Sequence, residues 1–480
     1  MMDMTQVSLD RQFSPRETPR YPTTFRVWQR RTKTGCLTCR SRKKKCDETK
    51  PWCGACRRNG ISCIWLQYKQ PDALQTRPRN EALTLPNDNN WLFYSEACNL
   101  TNLSSLLLQH YTSQTAVILP AGRPSLNPFI SFVLPPAETD DVLMHSVLAV
   151  SGAHLSFRSQ DAVDVEMAAR EHYVFAIRGV QQVITGDQVK DKSDILRLLL
   201  VTSFLSQYEI LMNTPKTALH HHLKAIHYLF LHLLRLGYRP PLELQEFDMI
   251  LSFTYEGFIF LASCNTTQSI DTNDLLSESI TDHLRPLTTS PYFGSMLADS
   301  HSLFEMIPLI QKLCLSRLTF ESLGLPTLSL ELLATYETLH DIIESWTSPE
   351  ASAERIMAGE VVRNALAVFL ECALKCYEQL DHESIETKAK VVIDTAVQLG
   401  NSSYATHIVW ALAVAGSSVV DDIYRRKLGE FLSGSRYKMR HLEVVQRSLE
   451  LFWAELNPKM FGPFEFHGLM EKQGISLSIM

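Results

Sequence analysis

The chain has 480 residues, of which 45% are hydrophobic and 20% charged, a composition with enough apolar mass for a large globular core. Its net charge of −6 is unevenly distributed. Residues 1–69 carry sixteen Lys and Arg against five Asp and Glu, a net of +11, so the remainder stands at −17. A basic head on an acidic body indicates a polyanionic partner for the head alone.

The N-terminal residues, MMDMTQVSLDRQFSPRE, lack the apolar core of a secretory signal. The apolar stretch THIVWALAVAGSSVV at 406–420 is too short to span a bilayer comfortably. We therefore expect a disordered tail over residues 1–30, no membrane segment and eleven reduced cysteines. Reduced cysteines that cluster at short spacing favour a metal site over disulfides.

Six of the cysteines form two copies of C-x2-C-x6-C, offset by 17 positions. Six thiolates cannot complete two separate tetrahedral sites, which need eight ligands, and no histidine precedes His110. All eight ligand positions are filled if two of the six sulfurs each bind both metals, so the pattern predicts a binuclear cluster with two Zn²⁺ per chain. Metal binding can supply on the order of 10 kcal/mol, which so short a segment needs in order to fold. The predicted ligands are Cys36, Cys39, Cys46, Cys53, Cys56 and Cys63.

The stretch CRSRKKKC at 39–46 places five basic side chains between two of these cysteines. On its own, RSRKKK indicates a solvated basic face or a nuclear import signal. Beside a zinc cluster, its Lys and Arg are natural donors to guanine O6 and N7 and to phosphates. The segment therefore predicts a DNA-binding surface, with which an import role can overlap.

The sequence CLTCRSRKKKCDETKPWCGACRRNGISC resembles the fungal binuclear zinc-cluster transcription factors, whose pattern is C-x2-C-R-x-[KR]-K-x-K-C, a lysine-proline loop and C-x2-C-x6-C. The resemblance implies that Cys36 and Cys53 bridge the metals. It also implies that a short helix enters the major groove of double-stranded DNA and reads a CGG-type triplet. Arg42 and Lys43 would then reach the bases. The residues that the resemblance places near phosphates are Arg40, Lys45, Arg57 and Arg58.

Three prolines, at 71, 78 and 86, interrupt residues 67–90, which we predict to be a linker. The linker joins a zinc-cluster DNA-binding domain at 31–66 to a regulatory body at 91–480. No heptad seam can cross the linker, so a coiled coil directly after the cluster is excluded. We therefore expect any homodimer to form through the body and the spacing between DNA half-sites to be loosely selected.

The apolar periodicity of the body is helical, as in Leu143, Val147, Val150 and His154 at i, i+4, i+7 and i+11. Segments such as LRLLLVTSFLSQYEIL and IVWALAVAGSSVVDDIYRRKLGEFL are similar to the fungal-specific transcription factor domain in its smaller second class. The predicted fold is a small binuclear zinc-cluster DNA-binding domain joined by a linker to a large all-α regulatory domain.

Other features of the body are assigned to packing. The run HHH at 220–222 indicates helix packing or an exposed face rather than a metal site. The stretch DTNDLLSESITDHL at 271–284 is predicted to be a loop between helices, with coactivator recruitment as the alternative. The cysteines predicted to lie in the core are Cys98, Cys264, Cys314, Cys372 and Cys376.

Together these features predict a nuclear, zinc-dependent, sequence-specific regulator of RNA polymerase II transcription, with DNA and a coactivator as partners. The chain has no phosphate loop, nucleophile elbow, zinc-protease helix or dinucleotide fingerprint, so we predict no enzyme. Two alternatives stay open: a ligand-gated regulator whose helical domain senses a small molecule, and an enzyme tethered to DNA. An apolar pocket without convergent titratable groups would favour the ligand-gated regulator.

Overall fold

The computed structural model describes part of the chain in two compact units, Met1–Leu83 and Thr84–Met480. The described residues are 39, 44–49, 53–59, 102–121, 127–158, 162–186, 189, 191–214, 216–265, 275–297, 300–323, 329–348, 352–375, 377–400, 402–437, 439–455, 457, 459–475 and 477. The predicted tail at 1–30 and linker at 67–90 lie outside these residues, and the predicted domain boundaries stay predictions.

In the described part of the first unit, α1 runs from Gly54 to Arg58, and Cys39 is also helical. The buried residues around α1 are four cysteines, and the apolar side chain packed against them is that of Ala55. So small an apolar cluster buries too little surface to offset the entropy of ordering the chain. The described segment therefore has no hydrophobic core of its own.

The first half of the second unit forms a core of its own, centred on Tyr111, Phe129, Val147 and Phe204. Its three longest helices pack together: α6 packs against α7, and α8 packs against α6. The helices are α2 (Asn102–His110), which continues through a π-helical turn (Tyr111–Thr115) into α3 (Ala116–Ile118), then α4 (Pro128–Ser131), α5 (Leu134–Ala137), α6 (Asp141–Ser156), α7 (Ala162–Thr185) and α8 (Lys192–Met212).

The second half of this unit shares a larger core, to which Ile118 of α3 and several residues of α8 also contribute. Its elements are α9 (Lys216–Arg235), α10 (Glu246–Cys264), α11 (Glu278–Leu284), a 3₁₀ turn (Arg285–Thr289), α12 (His301–Phe304), α13 (Met306–Ser322), α14 (Leu330–Ser345), α15 (Ala353–Leu374), a 3₁₀ turn (Tyr377–Gln379), α16 (His382–Leu399), a 3₁₀ turn (Ser403–Thr406), α17 (Val409–Ser417), α18 (Asp422–Ser433), α19 (Arg440–Trp453) and α20 (Pro463–Lys472). No strand occurs in the described part of the chain, and the predicted all-α body is confirmed.

Aspartates at helix N-termini show why these segments become helices where they do. Asp140 caps α6 by accepting hydrogen bonds from the N–H groups of Val142 and Leu143, at 3.0 and 3.1 Å. The Arg197 guanidinium on α8 donates to the same carboxylate, so one side chain both starts α6 and links it to α8. Hydrogen bonds in which both partners are charged are stronger than neutral ones.

The crossing of α6 and α7 is close because Gly152 faces Ala169. A Cβ atom at position 152 would lie 2.6 Å from the Ala169 Cβ, closer than real Cβ contacts allow. Small residues at this crossing therefore set how near the two helices approach.

Among the described residues, two helices, α8 and α10, are long and apolar enough to cross a membrane by length and composition alone. In the structure, 89% and 83% of their most apolar windows are buried inside the protein. Both are central core helices of the helical body. Cys264, Cys314 and Cys372 are buried there as well, as predicted, whereas Cys98 and Cys376 lie outside the described residues.

The predicted loop at 271–284 is wrong in its second half, where α11 runs from Glu278 to Leu284. Ile280 and Leu284 are fully buried, and their i, i+4 spacing gives α11 one apolar face toward the core. The acidic residues of this short helix, Glu278 and Asp282, are exposed.

A buried carboxylate on α10 holds the segment that precedes α12. Glu256 is fully buried and accepts hydrogen bonds from the N–H groups of Ser295, Met296 and Leu297 and from the Ser295 hydroxyl, at 2.6–3.2 Å. The Ser295 carbonyl in turn accepts from the Ala121 N–H. The Glu256 carboxylate therefore accepts hydrogen bonds from three backbone N–H groups that lie outside any helix.

Candidate zinc cluster and DNA interface

Four of the six predicted ligand cysteines lie within the described residues, and they converge. Cys39, Cys53 and Cys56 are fully buried, and Cys46 is 8% exposed. The Cys39 sulfur lies 3.4 Å from the Cys53 sulfur and 3.8 Å from the Cys56 sulfur. The sulfurs of Cys39, Cys46 and Cys53 all lie within 4.8 Å of one another.

These separations fit a zinc site. Two sulfurs bound to one tetrahedral zinc at about 2.3 Å are about 3.8 Å apart, which falls within the observed range. Cys39 belongs to the first C-x2-C-x6-C repeat, whereas Cys53 and Cys56 belong to the second. Residues from the two repeats therefore share one site.

The second C-x-x-C pair is arranged by α1. Cys53 is the N-cap residue of this helix, and its sulfur accepts a hydrogen bond from the Cys56 N–H at 3.4 Å. Cys56 lies in the first turn, so its side chain returns to the same side as Cys53. At the other end of the helix, the Asn59 side chain donates to the Ala55 carbonyl at 2.6 Å.

The loop after Cys46 is hydrogen-bonded to the start of α1 through the side chain of Asp47. Both carboxylate oxygens of Asp47 accept from the Gly54 N–H, at 3.0 and 2.9 Å, and the Thr49 hydroxyl donates to the same carboxylate at 2.9 Å. The Thr49 hydroxyl and the Gly54 N–H hold the pKa of Asp47 below its usual value, and the Arg58 charge acts in the same direction. Glu48 follows with a positive φ of 60°, and its N–H donates to the Cys46 sulfur at 3.4 Å.

Three of the predicted DNA contacts can be placed. Lys45, Arg57 and Arg58 are exposed, and the two arginines occupy the last turn of α1. Basic side chains exposed beside buried sulfurs are available to phosphates. The remaining predicted site residues, which lie outside the described residues, are Cys36, Cys63, Arg40, Arg42 and Lys43.

The histidine run on α9 takes part in packing. His222 is buried, and its Nε2 lies 3.0 Å from the Tyr173 hydroxyl and 3.5 Å from the Glu209 carboxylate. The neighbouring His221 is exposed. Within the described residues, the group of three potential metal ligands is formed by Cys39, Cys46 and Cys53, and no histidine joins it.

A cavity of about 70 Å³ lies in the body between the end of α10 and helices α13, α15, α17 and α20. Its described lining is mainly apolar and aromatic. Burial raises the pKa of the Cys264 thiol well above its usual value and that of Cys314 to about 11, so neither thiol is an activated nucleophile. The lining residues are Cys264, Gln311, Cys314, Leu315, Phe369, Trp410, Ala413, Val414, Pro463, Phe464, Phe466, His467 and Leu477.

Comparison with known proteins decides the family. The sequence matches the Fungal specific transcription factor domain over residues 105–479 and the Fungal Zn(2)-Cys(6) binuclear cluster domain over residues 34–72. The chain belongs to the fungal zinc-cluster transcription factors. The resemblance seen in the cysteine pattern and in the helical body is thereby confirmed, and the zinc-cluster domain implies that the head binds zinc.

Several curated relatives share parts of the chain. It is 27% identical over 207 residues to the Zn(2)-C6 fungal-type transcription factor afumD of Aspergillus fumigatus, which covers 38% of this chain and 50% of the relative. It is 47% identical over 64 residues to White-opaque regulator 2 of Candida albicans, covering 13% and 14%. The transcriptional activator protein UGA3 of Saccharomyces cerevisiae is 29% identical over 181 residues, covering 30% and 34%.

The aligned part of the chain spans half or less of the length of these relatives. The family consists of transcription factors rather than enzymes. No solved structure matches the chain.

Two site features were missed from the sequence. Asp47 follows a ligand cysteine directly, and Gly54 follows another, and these two positions were the available signal. The cavity brings together residues that are up to 213 positions apart, from Cys264 to Leu477, and no local pattern marks it.

Proposed function

We propose that the protein is a nuclear, zinc-dependent regulator of RNA polymerase II transcription that reads CGG-type triplets in double-stranded DNA. The observation that carries this proposal is the convergence of Cys39, Cys53 and Cys56, from both repeats, beside exposed basic residues. The family membership of the chain supports it. Cys36 and Cys63 complete the six ligands, and the cluster holds two zinc ions.

In this cluster, Cys36 and Cys53 bridge the metals and the other four cysteines are terminal ligands. Six thiolates and two Zn²⁺ carry a formal charge of −2, which the surrounding Arg and Lys offset. When bound, zinc supplies the crosslinks that hold the basic helix in shape. Replacing bridging Cys53 by Ser should lower the zinc content, measured by native mass spectrometry, at least as much as replacing terminal Cys39. A wild-type chain with a single zinc ion would refute the cluster.

DNA recognition divides between bases and phosphates. Arg42 and Lys43 reach the bases, whereas Arg40, Lys45, Arg57 and Arg58 lie near the backbone. Lys43→Ala should cost roughly 1–3 kcal/mol on the preferred site and flatten the preference between sites. Arg58→Ala should weaken all sites alike and reduce the salt slope of binding by about one unit. An unchanged specificity ratio for Lys43→Ala would contradict this division.

The helical body is the partner-binding part of the molecule. The chain beyond residue 69 carries a net charge of −17, which opposes contact with DNA, so the body is available to a second copy or to a coactivator. We expect a homodimer to form through the body, with loosely selected spacing between triplets. Sedimentation of the full chain and DNA selected from a random pool test this directly. A sharp preference for one spacing would contradict it.

The cavity supports a second candidate, a ligand-gated regulator, over a tethered enzyme. Its two buried thiols are held neutral, whereas the side-chain oxygen of Gln311 is buried and has no hydrogen-bond partner among the described residues. A small, largely apolar molecule with one donor group suits such a lining. The cavity volume is several times the roughly 10–15 Å³ that one water molecule needs.

A matched pair of probes tests the candidate. Phenol carries a hydroxyl donor, whereas toluene has the same shape and none. Phenol should raise the melting temperature of the full chain more than toluene does, and Gln311→Leu should remove the difference. Equal effects of the two probes on the wild-type chain would remove the support for this ligand class.

A further inference from the structure

Asp47 connects two segments that carry predicted zinc ligands and lie seven residues apart in the sequence. It is the neighbour of Cys46, and the Gly54 N–H that it binds is the neighbour of Cys53. The sulfurs of Cys46 and Cys53 lie within 4.8 Å of each other. The hydrogen bond between Asp47 and Gly54 therefore connects the same two segments that carry these neighbouring sulfurs.

The Gly54 N–H needs an acceptor from outside its helix. The first N–H groups of a helix have no partner within it. The N-cap residue of α1 is Cys53, whose sulfur accepts from the Cys56 N–H and so does not serve Gly54. Asp47 takes the remaining donor from seven residues upstream, with both of its oxygens.

Asp47 approaches the Gly54 backbone so closely that a side chain at position 54 would displace its carboxylate. A Cβ atom on Gly54 would lie 2.4 Å from the Asp47 Oδ2, so the flexible end of the Asp47 side chain would have to shift. The turn that brings Asp47 there also places Glu48 at a φ of 60°, in the left-handed region that costs free energy for a residue with a side chain. The left-handed turn at Glu48 and the absence of a side chain at position 54 therefore both accommodate the same hydrogen bond.

We propose that Asp47 is a positioning residue of the zinc cluster: by binding the Gly54 N–H, it fixes the second C-x-x-C pair relative to Cys46 and slows the loss of zinc. The proposal rests on the zinc cluster proposed above. Partners that orient metal ligands from the next layer typically change metal affinity by about 10–100-fold. Asp47 is exposed, so we expect an effect at the lower end of this range.

The test measures the rate at which the zinc-loaded full chain transfers its metal to a chromogenic chelator. Asp47→Ala should accelerate the transfer about tenfold. Asp47→Asn keeps an amide oxygen that accepts from Gly54, so its rate should lie within about threefold of the wild type. Glu48→Gln removes the same charge one residue away and should leave the rate unchanged.

The metal environment gives an independent readout. In the cadmium-substituted full chain, ¹¹³Cd resonances should shift in Asp47→Ala and return toward their wild-type positions in Asp47→Asn. Restoration by the amide separates hydrogen bonding from charge. If Asp47→Ala takes up no metal, the rate and spectrum of Asp47→Asn decide the proposal.

Two results would overturn the proposal. One is a wild-type transfer rate in Asp47→Ala, and the other is an equal acceleration in Asp47→Asn and Glu48→Gln, which would reduce the effect to charge. Failure of the cluster itself would look different, because the wild-type chain would then bind fewer than two zinc ions before any variant is compared.

Discussion

The buried carboxylate of Glu256 offers a test of how the helical body is held together. In Glu256→Leu, the N–H groups of Ser295, Met296 and Leu297 all lose their acceptor inside the protein. A buried donor left without a partner costs about 1–3 kcal/mol, so three of them cost about 3–9 kcal/mol. That range is comparable to the whole stability of a domain, about 5–15 kcal/mol.

The urea midpoint of the full chain, followed by far-ultraviolet circular dichroism, measures the loss. Glu256→Leu should lower the midpoint strongly or abolish folding. Glu256→Gln retains one oxygen for part of the donor set and should lose less. Glu337→Leu, the same change at an exposed position on α14, should leave the midpoint nearly unchanged. A wild-type midpoint in Glu256→Leu would refute the role assigned to this carboxylate.

Three further perturbations test the packing of the body. Burial lowers the pKa of His441 from 6.5 to about 4. The neutral imidazole therefore contributes stability to the folded chain above pH 6.5, and about 3 kcal/mol of that stability is lost as the pH falls toward 4. His441→Leu should flatten this part of the curve of stability against pH. Gly152→Ala should lower the melting temperature because its Cβ meets Ala169, whereas Gly468→Ala, with no atom within 4 Å, should raise it. Asp140→Ala removes the cap of α6 and should cost about 1–2 kcal/mol in urea unfolding, and a wild-type midpoint would contradict that role.

The sequence was most informative where chemistry is counted residue by residue. Six cysteines in a repeated spacing predicted a shared cluster, because the number of ligands that zinc needs does not depend on the fold. The helical body was predicted from apolar spacing, and the buried residues Leu143, Val147 and Val150 of α6 follow that spacing. Both predictions rest on local rules.

What the sequence did not reveal depends on backbone geometry. The contact of Asp47 with Gly54 needs a turn with a positive φ at Glu48, which no residue type there announces. Helix α11 was missed because acidic and polar residues outnumber its two core contacts, Ile280 and Leu284, although their spacing was visible. The cavity forms only when five helices pack, so it follows from tertiary structure alone.

Competition binding of the zinc-loaded full chain to two DNA duplexes tests the central claim most directly. One duplex contains CGG triplets, and the other has the same composition with the triplets scrambled. Each mismatched base pair costs about 1–3 kcal/mol, so we predict a preference of at least about a hundredfold at physiological salt. A chelator should abolish that preference. Equal affinity for the two duplexes, or a preference that survives removal of the zinc, would contradict the assignment of this protein as a zinc-dependent reader of DNA sequence.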